Sequence, residues 1–480
     1  MSKKPKVLLS LSRLLLPAVL SLALFLRLFR IHDLLGFWYD QGRDALVIWD
    51  FIHKGKLFLI GPMMADTGIF RGPWYYWLIT PFYWLSNGDP LWVSVFLILT
   101  TVVAIFVIYR LGGLKPAFIA AISMYIVGAS RWLADPTPTL LVSALLVWAA
   151  FNFLKKKVWA LPLIGFLIGL ALNFSAAAEV FYIPAVLLIV YLKRKDLPSF
   201  KILLLSVSLF LLTFLPQVIF EIRHPGVQTG AFYQFVFKDN SFTFSFWEIL
   251  KERLPFYYNL FASKFWPNGG FIFAPFFVVF VFSLVANWKK FWKDDKFKIL
   301  FILSLVPIIG TLFFTGSKGN IYEYYFTGYY LIWILLFSKV VTNKVIFAVF
   351  VLVSIFMNYL SFKSEYLKSS GGANVIAFSN QKKAIDWIYK DSNGKDFNVD
   401  VYVPPVIPYA YNYLFQWLGT ARYNRLPVEN NISLLYTLAE ADPDHPDRIN
   451  AWTERQKGIG KIEKSATFGG ITVERRTILK

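Results

Sequence analysis

The sequence predicts an all-α polytopic membrane protein that carries a small α/β domain at its C-terminal end. Three observations lead there. The chain is 57% hydrophobic and only 16% charged, a balance far too apolar for an ordinary soluble enzyme. Its apolar residues fall into eleven runs near the roughly 20 residues that a helix needs to cross hydrocarbon. Basic residues cluster in alternate gaps between those runs, as they do in cytoplasmic loops. Past residue 361 the long runs stop and mixed polar patterns take over.

Taken in order, the runs cover about 8–29, 91–109, 116–133, 138–154, 158–174, 177–192, 202–220, 270–287, 298–315, 325–338 and 344–361. The first follows Lys3, Lys4 and Lys6 and closes on Arg27 and Arg30 with no small-residue cleavage site, so it reads as an uncleaved signal anchor. With the N-terminus inside, the short inner gaps hold 20 Lys and Arg, and the longer outer gaps before the tail hold 13. That bias sets a multi-pass topology in the cytoplasmic membrane with the C-terminal domain extracytoplasmic. The basic excess, 33 Lys and Arg against 16 Asp and Glu in residues 1–361, therefore belongs to a bilayer protein, and nucleic acid is not an expected partner. With no cysteine, disulfides, thiolate nucleophiles and Cys-based metal sites are excluded.

This topology places three segments outside: 30–90, 221–269 and the tail from 362. In the first, residues 41–54 form a helix with Asp40 as N-cap and Gly55 just past its end. Residues 74–85, opened by Pro73, are too short and aromatic to span and are expected to lie flat at the interface. The chain divides into a transmembrane domain, 1–361, and a soluble domain, 362–480. In the latter, Lys382–Tyr389 and Pro408–Leu418 read as helical, and Asn398–Val403 and the stretch from Ile471 read as strands. Asp442–Asp447 has a calcium-loop flavour, but its two prolines favour a surface turn.

The chemistry-bearing residues gather at the predicted outer face. Asp40 can be a helix cap or a catalytic acid, and the two roles are compatible. Arg43, one turn on, presents a planar fork suited to phosphate. Glu221, Arg223 and His224 open the second loop; a snorkelling helix end is the simpler account, and substrate contact the functional one. A metal between His224 and a carboxylate has only two candidate ligands, so no metal is assigned and no cofactor is required. After the ninth run come Lys318, Tyr324 and Tyr325; an aromatic belt is the simpler reading of the tyrosines. Asp44 suits the first turn of its helix, and Asp66 could serve an acceptor. Arg131 and Asp135 share a short outer turn and are expected to pair.

The order of first span, Tyr39-Asp40-x-x-Arg43, then Arg71-Gly72-Pro73-x-Tyr75-Tyr76-Trp77 resembles the GT-C membrane glycosyltransferases, which include the protein O-mannosyltransferases and the aminoarabinose transferases. The resemblance covers the layout of about 1–340. It implies a GT-C fold and transfer of a sugar from a polyprenyl-phosphate carrier to a protein, lipid or glycan acceptor. It makes Asp40 the base, gives Arg43 and Arg71 to the donor phosphate, and implies a further phosphate contact among Lys318, Tyr324 and Tyr325. Where the family commonly has a second acid, this chain has Gln41. The competing classes are a lipid-linked sugar flippase, which tends to show internal repeats, and a non-catalytic assembly protein.

Overall fold

The computed structural model describes residues 6–64, 67–175, 177–238, 246–312, 314, 320–369, 371–404, 407–430 and 432–478. Helices occupy all eleven predicted runs. Pro90–Gly112 and Lys344–Tyr366 are each long and apolar enough to cross a membrane, and Phe200–Leu212 with Leu215–Arg223 adds a third crossing if this pair, bent by 51°, is one span. The bend lies just before Pro216, which removes a backbone donor near the start of the second helix.

The run 116–133 departs from expectation. It is two short helices, Leu114–Ile122 and Met124–Arg131, broken at an extended Ser123. Breaking a helix inside an apolar bundle frees backbone groups that need partners. Arg27, fully buried, donates to the carbonyls of Ala120 (3.1 Å) and Ala121 (3.0 Å). Asn358 Oδ1 accepts from Met124 N–H at 2.8 Å, and Ser123 Oγ accepts from Ile126 N–H at 3.3 Å. The interruption is thus built into the packing of the first and last long helices.

The C-terminal segment is a four-stranded sheet in the order β1-β2-β4-β3, made of β1 (Asn398–Tyr402), β2 (Leu434–Glu440), β3 (Gly460–Phe468) and β4 (Ile471–Ile478). β1 runs parallel to β2, and the other pairs are antiparallel. Helices Phe378–Ser392 and Tyr409–Leu418 fall on the expected positions; β2, β3 and the helix Pro446–Lys457 were not anticipated. The turn at Asp442 is a local structure in which Asp442 accepts from the Tyr402 hydroxyl at 2.7 Å and contacts His445 at 3.2 Å.

This segment docks directly on the first long loop. Phe378 N–H donates to Leu35 O, Gln381 Nε2 to Phe37 O and Trp417 Nε1 to Asn87 O, at 2.7–2.9 Å. One continuous core runs from the long helices (Leu97, Leu140, Trp333) into the tail (Tyr413, Leu438).

Candidate active site

The Asp40 helix spans Tyr39–Lys54, with Trp38 at its N-cap and Gly55 closing it in the left-handed region at φ 65°. The expectation that Asp40 caps the helix is corrected: Asp40 lies inside the first turn. Its place is taken by Gln41, whose Oε1 accepts the Trp38 N–H at 3.0 Å, the back-bond that a residue at the third helical position can make. Gln41 therefore has a structural task of its own, and Asp40 is released from one.

Freed of capping, the Asp40 side chain is 57% exposed and pairs with Arg43 at 2.8 Å. Arg43 reaches the other way as well, holding Asp44 through Nε (3.0 Å) and Nη2 (2.9 Å). Asp44 is buried and also accepts the Tyr76 hydroxyl at 2.8 Å, so the aromatic segment Trp74–Leu85 is tied to the Asp40 helix. Pro73 sits one residue before that helix rather than inside its first turn. Burial pushes the Asp44 carboxyl up to about 7, against the opposing pull of Arg43 and Tyr76. Arg43 itself is a clamp: burial works against its charge, but the neighbouring carboxylates outweigh it and raise its pKa.

Arg71 stands on a narrow hairpin. Gly61 N–H donates to Arg71 O (2.8 Å), Arg71 N–H to Pro62 O (3.0 Å), and Met63 bridges Phe70. Two glutamines, Gln217 near the end of the seventh apolar run and Gln228 in the second long loop, hold this hairpin by its backbone. Gln228 both donates to and accepts from Phe70 at 2.9 Å, and Gln217 Nε2 donates to Phe70 O at 3.2 Å. Gly72 is required by proximity, since a Cβ there would overlap the Asn173 amide.

The expected Arg131–Asp135 pair does not form. Asp135 pairs with Arg71 instead, while Arg131 donates to Phe29 O at 2.8 Å and lies over the Tyr366 ring. The pairing is decided by which cation the fold brings to the buried Asp135, not by sequence distance. Burial raises the Asp135 carboxyl, with Arg71 as the main opposing influence and the Arg43 charge also lowering it.

Asp40, Arg43, Asp44, Arg71 and Asp135 thus form one electrostatic cluster. The Arg71 charge also acts on Tyr324, whose ring packs on Trp132 and, at 4.9 Å, edge-on to Tyr325. Lys318 and Asp66 lie outside the described residues. Glu221 is occupied locally: it accepts the N–H groups of Gly226 and Gln228 at 2.8 Å and the Thr229 hydroxyl at 2.5 Å, which fixes the start of the helix Val227–Tyr233. Arg223 and His224 are exposed, the latter packed on Phe220. Among the described residues there is no group of three or more His, Asp or Glu arranged to hold a metal.

Several contributors escaped sequence reading. Glu179 is fully buried, accepts Gly328 N–H at 3.0 Å, and leaves its second oxygen unpartnered in reach of the Arg71 charge. Asn173 Oδ1 and Gln217 Oε1 are buried beside Gly72 without a partner, as is Arg71 Nε. Lys264, also buried, faces Glu323 at 3.3 Å and the rings of Tyr125 and Tyr330. Asn173, Glu179 and Gln217 carried a usable signal, as polar residues inside apolar runs. Gln228 and Lys264 sit in loop sequence that looks unremarkable.

Chemically, the cluster offers one accessible carboxylate, two guanidiniums in fixed positions, and tyrosine hydroxyls beside them. That set can accept a proton from a hydroxyl and stabilise an anionic leaving group.

No family model and no curated relative matches the chain. Solved structures do. ArnT from Cupriavidus metallidurans bound to undecaprenyl phosphate matches at 12% identity and a TM-score of 0.58, over 96% of this chain and 97% of that one. The apo state of ArnT matches at 11% identity and a TM-score of 0.59, with the same coverage. At such identity the likeness is one of fold, and it covers nearly the whole of both chains.

Proposed function

We propose that the protein is an integral membrane glycosyltransferase that moves a sugar from a polyprenyl-phosphate donor to a hydroxyl acceptor by a single inverting displacement. The observation that carries this reading is the Asp40 carboxylate, half exposed, held by Arg43 and set in one cluster with Arg71, on a fold shared with a protein whose structure was solved with undecaprenyl phosphate.

In the proposed step, Asp40 takes the proton of the acceptor hydroxyl as its oxygen attacks the anomeric carbon. The bond from that carbon to the phosphate oxygen breaks, and the electron pair leaves with the polyprenyl phosphate. A single carboxylate suffices for one inverting displacement on an already activated sugar. Arg71 is assigned to the departing phosphate. Arg43, with both edges of its fork engaged, chiefly aims Asp40 and adds positive potential. Tyr324 and Tyr325 are assigned to the donor phosphate, Lys318 is kept as a further contact on its sequence position alone, and Arg223 and His224 are assigned to the donor site. The polytopic layout of eleven spans, with the tail extracytoplasmic and against the loop that bears Asp40, belongs to the same proposal.

The test is reconstitution of the protein with radiolabelled polyprenyl-phosphate sugar and a mixture of candidate acceptors. Asp40→Asn is expected to lower transfer by about 10³-fold or more, with donor binding retained. Transfer that survives this substitution removes Asp40 as the base. Lipid translocation without transfer by the unaltered chain would place the protein among flippases.

A further inference from the structure

A cavity of about 400 Å³ lies on the sheet of the C-terminal segment, on the face turned away from the membrane-side helices. The two faces of this sheet are unlike. The face under Phe378–Ser392 and Tyr409–Leu418 carries Tyr436, Leu438, Ile471 and Val473, each with no exposed surface. The other face carries the alternate residues of the same strands, and those that line the cavity are Thr437, Ala439, Thr472 and Glu474. Thr437 stands opposite Glu474, and Thr472 lies between Ala439 and Thr467. The single helix on this side, Pro446–Lys457, turns Trp452 and Thr453 toward the strands without filling the space. A face meant only for packing would carry large branched side chains, as its reverse does. This one leaves an open space whose lining is mostly apolar, with threonine hydroxyls and one carboxylate set into it.

The lining chemistry narrows the occupant. Glu474 accepts from the Arg476 guanidinium at 2.6 Å and from the Thr437 hydroxyl at 3.2 Å. Arg476 is spent on that carboxylate and on the carbonyls of Gln456 and Gly460. Among the described residues that line the cavity there is no Lys or Arg to take a phosphate or a carboxylate, and Glu474 is already paired with Arg476. β2 and β4 are interior strands, so an extended peptide finds no unpaired backbone on the cavity floor. What remains is a volume within the range of small-molecule sites, mostly apolar, with the hydroxyls of Thr467 and Thr472 and the paired Glu474 carboxylate set among Ala439, Gly469 and Gly470. The Trp452 indole, braced by Tyr402 at 5.7 Å, stands at its wall and offers an apolar ring to C–H groups.

We propose that this cavity binds a neutral saccharide unit, at a site separate from the Asp40 cluster. The inference rests on the sheet face alone and stands whether or not the transfer chemistry assigned to Asp40 is right.

Saturation-transfer difference NMR on the full chain in nanodiscs tests it, with neutral methyl glycosides, neutral disaccharides and a soluble neutral polysaccharide set against glucuronate and glucose 6-phosphate. Neutral sugars are expected to receive saturation, and the anionic ones to receive none. Trp452→Ala and Thr472→Val should each weaken the neutral-sugar affinity about tenfold or more, at an unchanged melting temperature, while Asp40→Asn leaves it intact. Equal affinity for monosaccharides and longer chains points to a free sugar, and an affinity that rises with chain length points to a glycan. No signal from any neutral sugar, a preference for the anionic ones, or a signal untouched by both cavity variants and lost in Asp40→Asn would overturn the proposal.

Discussion

Arg43 sits between two carboxylates that the fold treats differently. Asp40 faces outward, and Asp44 is buried beneath Tyr76. Burial pushes the Asp44 carboxyl up to about 7 from an ordinary 3.8. The folded state therefore holds that proton more tightly than the unfolded chain does. The sign follows: the stabilisation from this group is present in full below the ordinary value and is lost as pH rises through about 7. The melting temperature of the detergent-held protein is expected to fall between about pH 4 and pH 7. Asp44→Asn should flatten that slope; an unchanged slope in the variant would remove Asp44 as its source. Next along the helix, Gln41 tests the division of labour with Asp40. Gln41→Ala loses the bond to Trp38 N–H and about 1 kcal/mol of stability, whereas Gln41→Glu keeps an acceptor at a helix N-terminus that favours acids. Thermal melts of both variants, with transfer measured on the second, would show whether this position caps or catalyses.

At the scale of elements, the Asp40 helix is set by the tail as much as by its own loop. The helix Tyr409–Leu418 crosses it so closely that a Cβ on Gly42 would overlap the backbone of Tyr409 and Ala410, and the rings of Tyr39 and Tyr409 meet edge-on at 4.8 Å. Backbone atoms cannot swing aside as a flexible side chain can. Gly42→Val is thus expected to cost about 1–3 kcal/mol and to loosen the tail, read as faster protease cleavage within 362–480. Cleavage at the unaltered rate would mean that the two helices can separate freely. This approach joins an element that sequence reading assigned to the membrane part with one assigned to the soluble part.

For the whole molecule, the absence of cysteine makes topology directly measurable. Lys457 and Lys156 are both well exposed, at opposite ends of the predicted topology. A single Lys457→Cys variant should react with a membrane-impermeant maleimide in intact cells, and Lys156→Cys only after permeabilisation. The reverse pattern would invert the proposed orientation and take Asp40 to the cytoplasmic side.

Much of the architecture was legible in the sequence because apolar length and periodicity are local properties. Helices lie on all eleven runs, and four elements of the tail lie where their patterns put them. Gly55 ends the Asp40 helix as its backbone freedom predicts. The break at Ser123 was not legible, because its carbonyls are paid for by Arg27, 93 and 94 positions away. Nor was the exchange of partners that gives Asp135 to Arg71 rather than to Arg131. The sequence by itself determined a helical, strongly apolar chain with a tail of different character, and it singled out Asp40 as the candidate carboxylate. Only the tertiary structure decided that Gln41 back-bonds to the Trp38 cap while Asp40 turns outward to Arg43, that Gln217 and Gln228 seat the hairpin of Arg71, and that the tail presses on the same helix. The reason is physical: helices form from neighbours in the chain, whereas a site is assembled from charges and backbone groups that meet only after packing has chosen their partners.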